Sequence, residues 1–302
     1  VVWSYHYNSA NYHQHHDVEV LPNGNILILA WERKTAEEAI LKGRNPELLE
    51  DNELWPEHIV EIEPIGENDA NIVWEWHIWD HLIQDFDPSL PNYGVVVDNP
   101  QLLNINYVGP GVNSAGGKAD WIHANSLDYN AELDQIIITS RALSEFWIID
   151  HSTTTAEAAS SSGGNSGMGG DILYRWGNPS NYGISGSQII NNAVHDARWI
   201  TNDGRPNGGF LQIFNNSGVS NNQSSVDGIE TPLDPSTGYT YLRNPGQAFQ
   251  PFSYTTRYAC AYSASGQSAS DRMSNGNIYV NASAGQNGAG VMYEVDQNGT
   301  II

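Results

Sequence analysis

The chain has a single cysteine, Cys260, so no internal disulfide can form and no thiolate-based metal site can be assembled. Within "YACAY" it reads as a small buried apolar residue. Basic side chains are scarce as well: 12 Lys and Arg stand against 35 Asp and Glu, a formal net charge of −23. A surface of that sign repels nucleic acid and anionic membrane, which argues against both as partners, and solubility in a salty medium accounts for it without any function. An anionic substrate would need a local positive spot, which makes each arginine worth placing. No run of 18 apolar residues exists, so no helical membrane span is expected. No signal peptide is visible either. The chain opens on "VVWSYH", which reads as mid-strand, and ends on "NGTII", which reads as a strand beginning. Both ends are expected to be truncation points, so the missing signal peptide says little about location.

Helical signal is scarce too. The best helix candidate is "TAEEAILKG", 35–43, with Thr35 as N-cap and Gly43 as the stop; a shorter one is "WDHLIQDF". Elsewhere short apolar or alternating runs lie between Gly, Asn, Asp and Pro clusters, the pattern of an all-β protein. The stretches 152–170 and 215–228 are low in complexity and read as exposed loops.

A loose repeat organises the rest. "HHDVEVLPNGNILIL" from His15, "IHANSLDYNAELDQIIITS" from Ile122 and "VHDARWITNDGRPNGGFLQIF" from Val194 each read strand, polar turn, strong β strand. A fourth copy starts near Tyr262, interrupted by a serine-rich insertion. A Trp-bearing strand recurs at 1–5, 72–77 and 172–179. Together these make a four-stranded unit repeated at roughly 70 residues, the signature of a β-propeller with about four blades in this chain. The opening strand would complete the last blade unless further blades precede Val1. Residues 77–120 are an insertion between blades, and 1–302 is one propeller domain.

His16, His123 and His195 fall at the same place in three successive repeats, ahead of the turn. That is the start of the first strand of each blade, the strand that lines a propeller's channel, so the three imidazoles are expected to converge. Converging histidines can bind a metal, act as nucleophile, or transfer protons near pH 7. Arg141, at the end of the next strand, separates these readings. A guanidinium beside a three-histidine metal site would be repelled, whereas beside an oxyanion its forked donors are useful. The set favours transfer of an anionic group. Asp196, next to His195, is expected to fix the tautomer of that ring.

These residues carry a resemblance. "HHDVEVLPNGNILILAWE", "DWIHANSLDYN…DQIIITSR", "GGDILYRWGNP" and "VHDARWI" resemble the bacterial arylsulfate sulfotransferases over nearly the whole chain, most strongly from Asp120 to Trp199. The 18-residue step from His123 to Arg141 is a specific part of the match. The resemblance implies a six-bladed propeller that moves a sulfuryl group from an aryl sulfate donor to a phenolic acceptor, without a nucleotide donor or other cofactor, through a sulfated histidine. By motif, His195 is the nucleophile, His123 and Arg141 hold the sulfuryl oxygens, and His16 assists at the phenol oxygen. Asn125, His15 and Asp196 are implied as substrate-binding neighbours, and a periplasmic or extracellular location follows. A glutamine is expected before the nucleophile, where this chain has Val194. The rivals are a metal-dependent hydrolase or lyase using the same histidines, and a non-catalytic extracellular propeller.

Other features fit less specific roles. His77 and His81, with Asp80, Asp85 and Asp87, could bind a metal but lack the spacing of a calcium loop, and the segment otherwise reads as Trp-rich packing. His58 and His151 read as structural. The aromatic residues pack between blades, with one or two expected against a phenolic substrate.

Overall fold

The computed structural model describes residues 2–109, 118–186, 188, 193–220, 223–283 and 289–302. Along the chain, β1 (Tyr12–Val20) and β2 (Ile26–Glu32) form a hairpin, and β3 (Lys34–Thr35) enters helix α1 (Ala36–Leu41). The short β4 (Glu53–Leu54) pairs back on β3, and β5 (Glu57–Ile65) and β6 (Asp69–His77) complete a four-stranded meander with β1 and β2. After it, β7 (Leu82–Ile83) and β8 (Leu103–Asn104) make a parallel pair. A second meander comprises β9 (Ala124–Asn130), β10 (Gln135–Ser140), β11 (Glu145–Asp150) and β12 (Tyr174–Trp176), with α2 (Thr155–Ala158) before its last strand. The third holds β13 (Val194–Trp199), β14 (Leu211–Ser220), β15 (Gln223–Ile229) and β16 (Thr256–Ala259). In the fourth sheet β17 (Ala269–Arg272), β18 (Ile278–Ala282) and β19 (Val291–Val295) pair in order, and Ile301 bridges back to Val295.

The sheets stack face to face in chain order, and side-chain alternation explains why. In β10, Ile136 and Ile138 enter the core shared with Leu27, Leu29, Ile59 and Trp74 of the first sheet. Their neighbour Ile137 points the other way, into the core shared with Val194, Leu211 and Ile213 of the third. The third and fourth sheets close similarly around Phe214, Val226, Val280 and Val295. A strand covered on both faces must be apolar at every position, which is why "IIIT" and "FWII" have no polar alternation. Each such buried side chain contributes ~1.5–3 kcal/mol. The protein is all-β with few helices, built of antiparallel four-stranded sheets in a propeller-like arrangement.

The first strand of each sheet is an edge, and its free N–H groups need acceptors. The preceding sheet supplies them. Asp17 Oδ2 accepts from Leu127 N (3.0 Å), Asp128 Oδ2 from Trp199 N (2.8 Å), and Asp196 Oδ2 from Ser270 N (2.8 Å). These bonds set the first strands side by side, with their N-terminal ends together.

Several expectations change. The helix from Thr35 forms, with Thr35 and Glu38 in a capping box. Gly43 stops it at φ +84, where a Cβ would also lie 2.3 Å from Gln84. "WDHLIQDF" is not a helix: one 3₁₀ turn at Ile78–Asp80 gives way to β7, because the Leu82 and Ile83 backbone pairs with β8. The first residues are not an outer strand. Trp3 and Tyr5 pack on the open face of the first sheet, and Trp3 Nε1 donates to Asp69 O.

Both low-complexity stretches are more ordered than loops. In 152–170, Thr154 and Glu157 cap α2, and Trp76 Nε1 donates to Gly170 O. The stretch 215–228 lies largely in β14 and β15, with Asn215, Asn216, Ser224, Ser225 and Asp227 buried. The side chains of Asn215, Asn216, Ser224 and Asp227 bond one another and nearby backbone, so the strands carry no apolar signature.

His77 and His81 point into different surroundings. His81 is buried, its Nδ1 on Asp171 Oδ1 (2.8 Å) and its Nε2 on Ala158 O (2.7 Å), so both nitrogens serve packing. His77 lies between Glu32 and Glu75 (3.2 Å each) and stacks on His58. Among the described residues no group of three His, Cys, Asp or Glu could hold a metal ion. Most described arginines are structural: Arg175 pairs with buried Glu145, Arg257 with Asp227, and Arg44 lies over Trp121. No helix among the described residues is long and apolar enough to cross a membrane.

Candidate active site

The bonded N-terminal ends of β1, β9 and β13 each carry a register irregularity: between Gln14 and Val18, at Ala124 opposite Ser140, and between His195 and Arg198. His16 (φ 54), His123 (φ 49) and Asp196 (φ 56) adopt left-handed backbone there. An L residue with a side chain rarely occupies that region, and bulges that re-aim side chains cluster at functional sites. Their effect here is to bring the histidines of separate sheets together. The His16 and His123 rings meet edge to face with centroids 4.9 Å apart, and His15 meets His16 at 5.0 Å. Arg141 is held in the turn after β10, its N–H on His123 O (3.0 Å). Its guanidinium charge acts on His16, His123 and His195 alike. His16, His123, Arg141 and His195 therefore form one cluster.

The four groups differ in charge. Burial, with Arg141 and His123 nearby, lowers His195 to about 4 despite its bond to Asn216, so it is neutral at pH 7. Its surroundings also select the tautomer. Asn216 Nδ2 donates to Ala264 O and Gln267 O, so Asn216 Oδ1 accepts from His195 Nδ1–H at 2.6 Å. His195 Nε2 is thus a lone pair, and Gln267 N–H donates to it at 3.0 Å. Gln267 (φ 52) and Ser268 (φ 95) hold that donor in left-handed backbone. Desolvation, with His15 and His123 beside it, lowers His16 to about 4. His123 goes the other way. Burial alone would lower it, but Asp120 Oδ2 on its Nδ1 (2.5 Å) outweighs that and raises it above its ordinary value. A neutral nitrogen lone pair thus lies near the Arg141 guanidinium and a histidine whose basicity is raised, an arrangement suited to an anionic electrophile.

The remaining expected residues are placed less directly. Asp196 does not orient His195: its Oδ1 pairs with Arg198 (2.6 Å) and its Oδ2 takes Ser270 N–H, because the bulge turns it toward β17. Asn216 performs the role expected of it. His15 lies behind His16, its Nδ1 on His16 Nδ1 (2.7 Å) and its Nε2 on Glu57 Oε2 (2.8 Å). Asn125 Nδ2 donates to Val194 O, and its buried Oδ1 accepts from no described residue. His13 is exposed and stacks on Trp31. Sequence reading missed Asn216, hidden in an Asn/Ser-rich stretch, and Glu57, which looks like any polar residue of a strand. The aspartate of Asp120 three residues before His123 was the one local signal available.

A model of the family described as Arylsulfotransferase (ASST) matches residues 2–301. No curated protein matches the chain. Among solved structures, one of a GH43 glycoside hydrolase engineered to display both endo-xylanase and exo-arabinofuranosidase activity is similar at 13% identity and a TM-score of 0.30. That match covers 91% of this chain and only 37% of the other, and a score so low carries no argument about fold or activity.

Proposed function

The chain belongs to the arylsulfotransferase (ASST) family, and on that premise we propose that it moves a sulfuryl group from an aryl sulfate ester to a phenolic acceptor by a ping-pong reaction through a sulfohistidine at His195. In the first half, His195 Nε2 gives up its hydrogen bond from Gln267 N–H and attacks sulfur, the sulfur–aryl oxygen bond breaks, and the phenolate leaves with a proton from His16. In the second, the acceptor phenol loses its proton to His16, its oxygen attacks sulfur, and the nitrogen–sulfur bond breaks. His123 and Arg141 hold the three sulfuryl oxygens, where one fixed donor contributes roughly 3 kcal/mol to the transition state. Asn125 is the further substrate contact we expect, while His15 and Asp196 act from behind. No nucleotide or metal is needed by these steps. We read the chain as one propeller domain whose channel carries the site, with 77–120 as an insertion, working in the periplasm or outside the cell.

The observation that carries the reading is His195: neutral, Nδ1–H fixed on Asn216, Nε2 a lone pair that accepts from Gln267 N–H, with the Arg141 charge acting on the ring. The test is p-nitrophenyl sulfate with and without phenol, comparing wild type with His195→Ala. Nitrophenol release that requires both the acceptor and His195, with a drop of at least about 10⁴-fold in the variant, supports the reading. Release that ignores the acceptor and stops with a chelator overturns it in favour of a metal hydrolase.

A further inference from the structure

Glu57 is fully buried at the start of β5, and its two oxygens have separate duties. Oε1 accepts from Ala124 N at 2.8 Å, tying the first sheet to the residue after His123. Oε2 meets His15 Nε2 at 2.8 Å. His15, 8% exposed, continues through its other nitrogen to His16, Nδ1 to Nδ1 at 2.7 Å. His16 Nε2, across that ring from Nδ1, is bonded to no described residue, and the His16 side chain is exposed. Every nitrogen and oxygen between Glu57 Oε2 and the open edge of His16 is therefore consecutively hydrogen-bonded. Two imidazole nitrogens in direct contact can share one proton only if one donates and the other accepts. The chain thus has two internally consistent states, differing in which way all its protons point.

We propose that Glu57 and His15 are a proton relay that switches His16 between general acid and general base, an inference that rests on the sulfuryl-transfer reading above. In the acid state Glu57 carries the proton on Oε2 and donates to His15 Nε2, His15 Nδ1–H donates to His16 Nδ1, and His16 presents Nε2–H. When the leaving phenolate takes that proton, His16 Nδ1 takes the His15 proton and His15 Nε2 takes the Glu57 proton. Glu57 is left as a carboxylate, and His16 Nε2 is now a lone pair. The acceptor phenol then gives its proton to His16 Nε2, the His16 Nδ1 and His15 Nε2 protons move back to His15 and Glu57, and the chain is reset with no net change. Neither imidazole becomes a cation at either stage, which matters beside His123 and Arg141.

Burial, with Asp120 nearby, pushes Glu57 well above its ordinary value, and burial lowers His15 to about 3; both shifts favour the neutral acid state. The charged or titratable groups facing it are Asp120, His123, His13, His58 and, at His16, Arg141 and His195. Glu57 and His15 are positioning residues, since only His16 would touch the substrate.

The test compares full-chain wild type and Glu57→Gln on two donors, p-nitrophenyl sulfate, whose phenolate leaves readily, and phenyl sulfate, whose phenolate needs a proton. Glutamine keeps the shape and can donate to His15 but cannot release a proton along the chain. The expected result is a loss on phenyl sulfate about 100-fold larger than on p-nitrophenyl sulfate. Equal slowing of both donors overturns the relay and leaves Glu57 a structural residue; unchanged rates overturn it as well. Absence of transfer by the wild type overturns the sulfuryl-transfer reading and the relay together. Should the variant not fold, ¹⁵N NMR of wild type decides. A scalar coupling between the His15 and His16 Nδ1 nitrogens, with His16 protonated on Nε2 at rest, supports the relay; no coupling, or His16 protonated on Nδ1 at rest, overturns it.

Discussion

His195 and His151 are both nearly buried, and burial pushes the basicity of both down, yet they end far apart. His195 lies at about 4 and His151 at about 9. The difference is what each ring touches. His195 Nδ1 meets a neutral amide, Asn216, with the Arg141 charge close by. His151 is clasped by two carboxylates, Asp134 at 2.7 Å on Nδ1 and Glu61 at 3.0 Å on Nε2. At pH 7 one is a lone pair and the other an imidazolium. They also occupy opposite ends of the first sheets. His195 is beside the bulged N-termini of the first strands, whereas Glu61 is bonded to Asn23 and Asn25 in the turn that ends β1. One end of the molecule thus uses histidine for reactivity, and the other uses it to fasten the first sheet to the second.

The largest expected effect comes from stripping the positive side of that contrast. Arg141→Ala should lower kcat for sulfuryl transfer by about 10²–10³-fold while thermal unfolding stays close to wild type, because a fixed oxyanion donor is lost from the transition state. A loss below tenfold would mean that the arginine does not contact the transferring group.

At the other end the expected change is in stability. The pKa of His151 is raised above its ordinary 6.5, so its contribution is fully present below pH 6.5 and disappears as pH rises through about 9. His151→Gln should destabilise the protein by up to about 3 kcal/mol at pH 6, and the gap should close above pH 9. Paired denaturant titrations at the two pH values check this, and a gap independent of pH would assign the loss to packing against Trp74.

A smaller effect tests whether the partner sets the pKa. Asn216→Asp places a carboxylate on His195 as His151 has, and the acidic limb of kcat/KM should move up from about 4 by one unit or more. An unmoved limb would leave burial as the whole explanation. The smallest change is expected for Asp120→Asn. His123 is held above its ordinary value by Asp120, so the protonated form is lost at lower pH in the variant. The alkaline limb of kcat/KM should move down, with the rate at acidic pH little changed.

How much of this was legible before the structure depends on the range of the interaction. Thr35, Glu38 and Gly43 announce α1 because capping is local. The paired hairpins of the first three sheets were legible for the same reason, since turn chemistry and alternation act within a few residues. "WDHLIQDF" misled because helical spacing in its apolar residues was overruled by pairing with β8, some 20 residues later. The 215–228 stretch misled for the opposite reason. Its asparagines and serines look solvated, yet Asn216 and Ser224 find their partners only when β14, β15 and the 264–267 backbone come together.

The sequence alone determined the all-β class, the repeated hairpins, the acidic surface and the histidines and arginine from which the cluster is made. Their register in the repeat was enough to say that His16, His123 and His195 belong together. Only the tertiary structure decided what each one is. The bulges that turn His16 toward His123 and Asp196 away, the amide on His195 and the aspartate on His123 set the charge of each ring. So does the buried Glu57, 42 residues beyond His15. Protonation depends on burial and on partners within a few ångströms, and those are fixed by which sheet faces which, not by the order of residues along a strand.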